Sequence, residues 1–134
     1  MGSIMRTAVA AGISKVYLSK GCAEAWSPKA LRSGMGAQFQ LDIVEHCELA
    51  QQLQHYQKSL VTSLDASTPL YDMDLSGSIA LVLGNEGAGI SDGLMAQATH
   101  NIHIPMLGNV ESLNVSAAAA ICLFERVRQL TLQK

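Results

Sequence analysis

Ser78–Ile90 reads SIALVLGNEGAGI, and its two halves ask for different structures. Ser78 to Leu83 is a short, nearly continuous apolar run without polar alternation, which predicts a strand buried on both faces of a sheet. Gly84, Gly87 and Gly89 then set three glycines within six residues. They end the strand and let the backbone come close to a ligand. Strands buried on both faces belong to parallel sheets covered by helices, and ligands bind there beyond the carboxyl ends of the strands. The glycine order is Gly-x-x-Gly-x-Gly. It is neither the dinucleotide Gly-x-Gly-x-x-Gly nor a phosphate loop, because no Gly-Lys-Ser/Thr follows. Glu86, in the middle of the loop, would repel a pyrophosphate. Taken alone, the segment reads equally well as a plain glycine-rich turn.

The flanking sequence alternates in the same way. Ser3 to Ala11 is rich in helix formers and stops at Gly12. Lys15 to Ser19 is a β-prone run. Ser27-Pro28 supplies a cap and a first-turn proline for a helix through about Arg32. Phe39, Leu41 and Ile43 alternate with polar residues and predict a strand. Leu49, Leu53 and Tyr56 give residues 46 to 57 helical spacing. Ser59 to Leu64 reads as a strand, Ser91 opens a helix to about Ala98, and Asn101 to Ile104 is another short strand. Ser112 offers the N-cap hydroxyl for a long helix to about Leu130. This order predicts an α/β domain with a mainly parallel sheet flanked by helices.

Composition narrows the function. The chain has 134 residues, 49% of them hydrophobic and 15% charged, which suits one globular domain, 1–134. No apolar run is long enough to span a bilayer, so no membrane role is expected. Cys22, Cys47 and Cys122 form no CxxC pair. They read as reduced thiols of a cytoplasmic protein, and no metal site is expected. His100 and His103 are three apart, across a loop–strand junction. The net charge of −2 gives weak support to a nucleic-acid partner, since RNA binders are usually basic.

The second unusual segment, Ile104–Ala120, reads IPMLGNVESLNVSAAAA. Pro105 and Gly108 stop a strand, and the small residues that follow allow close helix packing. Together the two segments closely resemble the second and third motifs of the SpoU family, also called the TrmH family, of RNA ribose 2′-O-methyltransferases. Gly84, Glu86 and Gly89 match the second motif. Ile104, Pro105, Met106, Gly108, Ser112, Leu113, Asn114, Val115, Ser116 and Ala118 match the third. Gly2 and Arg6, followed by Thr7-Ala8, match the first motif, whose asparagine would lie one residue before Met1. The resemblance implies a first strand and a motif-one asparagine that these residues do not include, and thus an N-terminally truncated catalytic domain.

The resemblance further implies a deep trefoil knot in the C-terminal half, a homodimer, and a site for S-adenosyl-L-methionine. Cofactor-binding positions would be Leu83, Gly84, Gly89, Ile104, Met106, Gly108 and Leu113. Arg6, Glu86, Ser112 and Asn114 match catalytic positions. The implied substrate is a ribose 2′-hydroxyl in tRNA or rRNA. The last helix gives independent support for a dimer, because it is apolar on nearly every side and needs cover beyond its own domain. Two other readings stand beside this one. One is a catalytically incomplete cofactor-binding or dimerisation module of the same fold. The other is a nucleotide-binding domain of a different α/β class, which the glycine order disfavours.

Overall fold

The computed structural model describes residues 1–20, 22, 24–84, 89–110 and 113–133. The elements run α1 (Gly2–Ala10), β1 (Lys15–Ser19), α2 (Pro28–Gly34), β2 (Asp42–Cys47), α3 (Leu49–Leu53), β3 (Lys58–Thr62), β4 (Thr68–Pro69), β5 (Ile79–Val82), α4 (Asp92–Gln97), β6 (His100–His103) and α5 (Val115–Leu132). Every described strand pairing is parallel. β1 and β2 form one pair, and the remaining strands lie in the order β4-β6-β3-β5. This is the α/β class with parallel strands that alternation predicts, divided between two sheets. Among the described residues no helix is long and apolar enough to cross a membrane.

The central strand β3 shows why the larger sheet forms. Leu60 faces a cluster with Leu70, Leu75, Ile102 and Cys122, the last from α5. Val61, next along the strand, faces the opposite side with Leu53 of α3 and Val82. The period of two thus sends alternate residues into two cores, with α5 over one face and α3 and α4 over the other. Leu60 and Ile102 are 1% and 0% exposed, so truncating either to alanine should cost about 2–5 kcal/mol. The clamp on α5 is polar. Gln129 accepts from the Leu75 amide at 2.8 Å and donates to the Met73 carbonyl at 2.9 Å. Arg126 donates to the Leu75 carbonyl at 3.2 Å. These bonds fix the segment leading into β5. A third core joins Ala8 of α1 and Ala11, the residue that ends it, to Leu123 of α5.

Several expectations need correction. β5 is apolar on both sides, since Leu81 and Ala80 pack into opposite cores. It lies at the sheet's edge, however, so only Val82 is buried. The strand predicted from Phe39, Leu41 and Ile43 begins at Asp42. Residues Ala37–Gln40 form a 3₁₀ turn after Gly36, whose φ is +87°. Gln38 turns inward there, and Phe39 is left 76% exposed. The helix expected over 46–57 spans only Leu49–Leu53. Tyr56 sits in the turn beyond it and hydrogen-bonds the Tyr17 hydroxyl at 3.2 Å. The long helix is capped by Asn114 and starts at Val115; Ser112, the expected cap, lies outside the described residues. His100 and His103 both lie on β6. Three residues apart on a strand, they point to opposite faces and cannot share a ligand.

Candidate cofactor and catalytic site

Parallel order makes the carboxyl ends of β3, β5 and β6 coincide. The register pairs Val61 with both Val82 and Asn101, and Thr62 with Ile102. The residues that follow each strand therefore emerge side by side at one sheet edge. Thr62, Ser63 and Leu64 follow from β3, and Ile104 and Met106 from β6. With Leu113 and Ala118 from the entry to α5 they line a cleft of about 140 Å³. Ile104, Met106 and Leu113 were expected at a cofactor site. Thr62, Ser63 and Leu64 were not singled out, because no motif marks them. Their signal is positional, since β3 is the strand between the two motif-bearing ones. The cleft walls are mostly apolar, with hydroxyls only on Thr62 and Ser63. Leu64 is 61% and Leu113 36% exposed, so the rim is open and apolar.

The remaining expected cofactor residues lie outside this lining. Leu83 and Gly84 follow β5 and are half-buried. A Cβ at Gly84 would sit 3.2 Å from the Gly89 carbonyl carbon and Cα and from the Ile90 side chain. Gly84 thus sits in tight contact with Gly89 and Ile90, where an added methyl would crowd the chain itself. Gly89 has φ +70°, a backbone that side chains disfavour. Gly108 differs from both. A Cβ there meets nothing within 4 Å and its φ needs no glycine, so nothing in the described chain explains it.

Of the four expected catalytic residues, Glu86 and Ser112 lie outside the described residues. Asn114 takes the extended conformation of a cap, and its side-chain oxygen accepts from the Ala117 amide at 2.8 Å. Arg6 is exposed on α1 and makes no ion pair among the described residues. Its neighbours one turn back fix where it lies. Gly2 packs so tightly on α2 that an added Cβ would overlap Ser33 and the Ala30 carbonyl. Ser3 shares a hydrogen bond with Ser116 of α5 at 3.2 Å. At about 100° per residue, Arg6 falls between the Gly2 and Ser3 directions, and its Cβ leans back toward them. It therefore lies one turn along α1 from the residues that meet α2 and the start of α5. Lys15, by contrast, pairs with Asp42 at 3.6 Å and lies over the Tyr17 ring. Among the described residues no group of three or more His, Cys, Asp or Glu is placed to hold a metal ion. Cys47 and Cys122 are buried and Cys22 partly so, and all three are free thiols. Burial pushes the Cys122 thiol up to about 11.

Comparison with known proteins bears on this arrangement. The SpoU rRNA Methylase family matches residues 1–124. The chain is 37% identical over 128 residues to the 23S rRNA (guanosine(2553)-2′-O)-methyltransferase RlmP of Bacillus subtilis, which covers 92% of this chain and 51% of that protein. It is 38% identical over 136 residues to the 23S rRNA (guanosine-2′-O-)-methyltransferase RlmB of Xylella fastidiosa, covering 98% of this chain and 55% of that one. The chain thus spans about half the length of the curated relatives it matches. An AdoMet-bound rRNA methyltransferase structure from Sinorhizobium meliloti superimposes with a TM-score of 0.87 at 33% identity, over 96% of this chain and 51% of that one. With both motif-bearing strand ends gathered at one edge of a parallel sheet, the chain belongs to the SpoU rRNA methylase family.

Proposed function

We propose that residues 1–134 form a methyltransferase domain that uses S-adenosyl-L-methionine to methylate a ribose 2′-hydroxyl in RNA. The cleft carries this reading. It is built at the carboxyl ends of β3 and β6 and walled by Ile104, Met106 and Leu113, and the matching structure from S. meliloti is described as AdoMet-bound. The residues fit such a group. Apolar walls suit a purine ring, and the two hydroxyls suit its polar edges. When bound, the cofactor would supply a methyl on a sulfonium, an already activated leaving group.

The chain's own work is then positioning and charge. Arg6, one turn along α1 from the residues that meet α2 and α5, orients the ribose and stabilises charge developing on its oxygen. A guanidinium is too basic to serve readily as a proton acceptor, so we assign it no proton transfer. Asn114 fixes the first turn of α5 beside the cleft. Glu86 and Ser112 are proposed polar partners of Arg6 and substrate from their motif positions. The same motifs imply the knotted thread of the C-terminal loops. The outer edges of β1 and β5 are unpaired among the described residues, and the motif-one strand would pair there.

We further propose a homodimer through α5. Its buried residues are Ala119, Cys122, Leu123 and Glu125, the last paired with Arg128, while Phe124 is 45% exposed and Leu132 70%. A two-fold partner would cover these two exposed apolar side chains. Three free thiols suit a reducing cytoplasm. The names of the two curated relatives favour ribosomal over transfer RNA as substrate. Calorimetry with S-adenosylhomocysteine, followed by methyl transfer to ribosomal RNA and mapping of the modified ribose, tests the reading. A folded protein that does not bind S-adenosylhomocysteine would refute it, and binding without transfer would favour the incomplete module.

A further inference from the structure

We propose that the surface formed by α2 and the 3₁₀ turn after it is a stacking platform for single-stranded RNA, holding nucleotides that flank the methylated one. This rests on the methyltransferase reading and names where its substrate lies. Trp26 and Phe39 are 42% and 76% exposed, yet their rings pack on each other with centroids 5.5 Å apart and a 58° tilt. Met35, on the same segment, is 70% exposed. Exposed rings held in place are what unpaired bases stack on.

The platform is rigid for a visible reason. Gln38, 0% exposed, donates to the Ala25 carbonyl at 3.2 Å and the Ala30 carbonyl at 2.7 Å. One buried amide thus ties the residue before Trp26 to the residue before Phe39. The charge selects the partner. From Ala25 to Leu41 the sequence has Lys29 and Arg32 and no acidic residue, in a chain of net charge −2. Both cations are exposed, three apart on α2, and neither makes an ion pair among the described residues. Aromatic rings beside uncommitted cations suit bases joined by phosphates better than an apolar protein face. The tight contact of Gly2 with Ser33 puts Arg6 on the helix next to this surface.

Trp26 is the chain's single tryptophan, so its fluorescence reports on the platform directly. A short unstructured oligouridylate titrated into the intact protein should quench it. Phe39→Ala should weaken binding roughly 5- to 150-fold, the range for losing one stacked base. Phe39→Tyr should retain it. Arg32→Ala should lower the salt dependence of log K by about 0.7. Circular dichroism checks folding, and Phe39→Leu, which keeps bulk without a ring, replaces the alanine variant if that one unfolds. No quenching by the RNA, or unchanged affinity in the ring-less variant, overturns the platform. So does Trp26 emission that follows protein concentration and loses that dependence in Phe39→Leu, which would make the surface a contact between copies. Calorimetry with S-adenosylhomocysteine on the same protein separates the two readings. Cofactor binding with no RNA response defeats the platform alone, and no cofactor binding defeats the methyltransferase assignment itself.

Discussion

Gly84→Ala will cost stability and cofactor affinity together, whereas Gly108→Ala will cost affinity alone. The two glycines differ in what surrounds them. A methyl at Gly84 lands 3.2 Å from two backbone atoms of Gly89 and one side-chain atom of Ile90. Carbon pairs prefer about 3.5–4.0 Å, so three contacts are compressed at once and two cannot move without shifting the chain. Overpacking of this kind costs roughly 1–3 kcal/mol. For one methyl against a partly open loop we expect about 1–2 kcal/mol, a fall in Tm of about 3–8 °C for a chain of this length. At Gly108 a methyl meets nothing within 4 Å, and stability should stay within about 0.5 kcal/mol. If that space admits a bound nucleoside, the methyl should still weaken S-adenosylhomocysteine binding by about tenfold, the equivalent of ~1.4 kcal/mol. Scanning calorimetry and titration calorimetry on both variants measure the two quantities. A Gly84→Ala protein as stable as the parent would show that this contact is not the constraint. Unchanged binding in Gly108→Ala would show that no ligand passes over that residue.

Three further outcomes are expected. Arg6→Ala should leave S-adenosylhomocysteine affinity unchanged and slow methyl transfer by about 10²-fold or more; a near-normal rate would remove Arg6 from the mechanism. Asn114→Ala should destabilise by about 1 kcal/mol through loss of the cap, seen as a shifted denaturant midpoint, while Asn114→Asp keeps the accepting oxygen and the stability. Cys122, with its thiol raised to about 11 by burial, should resist a thiol reagent at pH 8 until the protein unfolds. The sign follows from the direction of the shift: the native state holds this proton more tightly than the unfolded one, so stability is full below the ordinary thiol range and falls as pH rises toward 11.

Element order was legible because β3 and β5 are marked by apolar content and α5 by length. Two misreadings share one cause: a partner distant in sequence overrode a local pattern. The alternation through Phe39 is a correct period of two, but the carbonyls of Ala25 and Ala30 need a donor, and Gln38 turns inward to supply it. Leu49, Leu53 and Tyr56 have helical spacing, yet Tyr56 is drawn out of the helix to meet Tyr17, 39 residues away. Ser112 and Asn114 are both good caps, and spacing alone does not choose between them. At the site, Ile104, Met106 and Leu113 were readable from motifs. Thr62, Ser63 and Leu64 were not, because their importance comes from strand order, and crossovers leave no local trace.

The net charge of −2 was the strongest sequence argument against an RNA partner, and the distribution of the charges answers it. Of the nine Lys and Arg residues, Lys15, Lys58 and Arg128 are paired with carboxylates, and Arg126 is spent on backbone carbonyls. Lys134 lies outside the described residues. The other four, Arg6, Lys20, Lys29 and Arg32, make no ion pair among the described residues, and all fall in the first 32 positions. What an approaching phosphate meets is this local field and not the sum over the chain. The packing of α1 on α2 keeps Arg6 close to the helix that carries Lys29 and Arg32, while the Ser3–Ser116 bond ties the same turn of α1 to the helix that closes the cleft. A strand of RNA lying along α2 would then bring a ribose near Arg6, and such placement of the reacting hydroxyl is what methyl transfer needs from this chain.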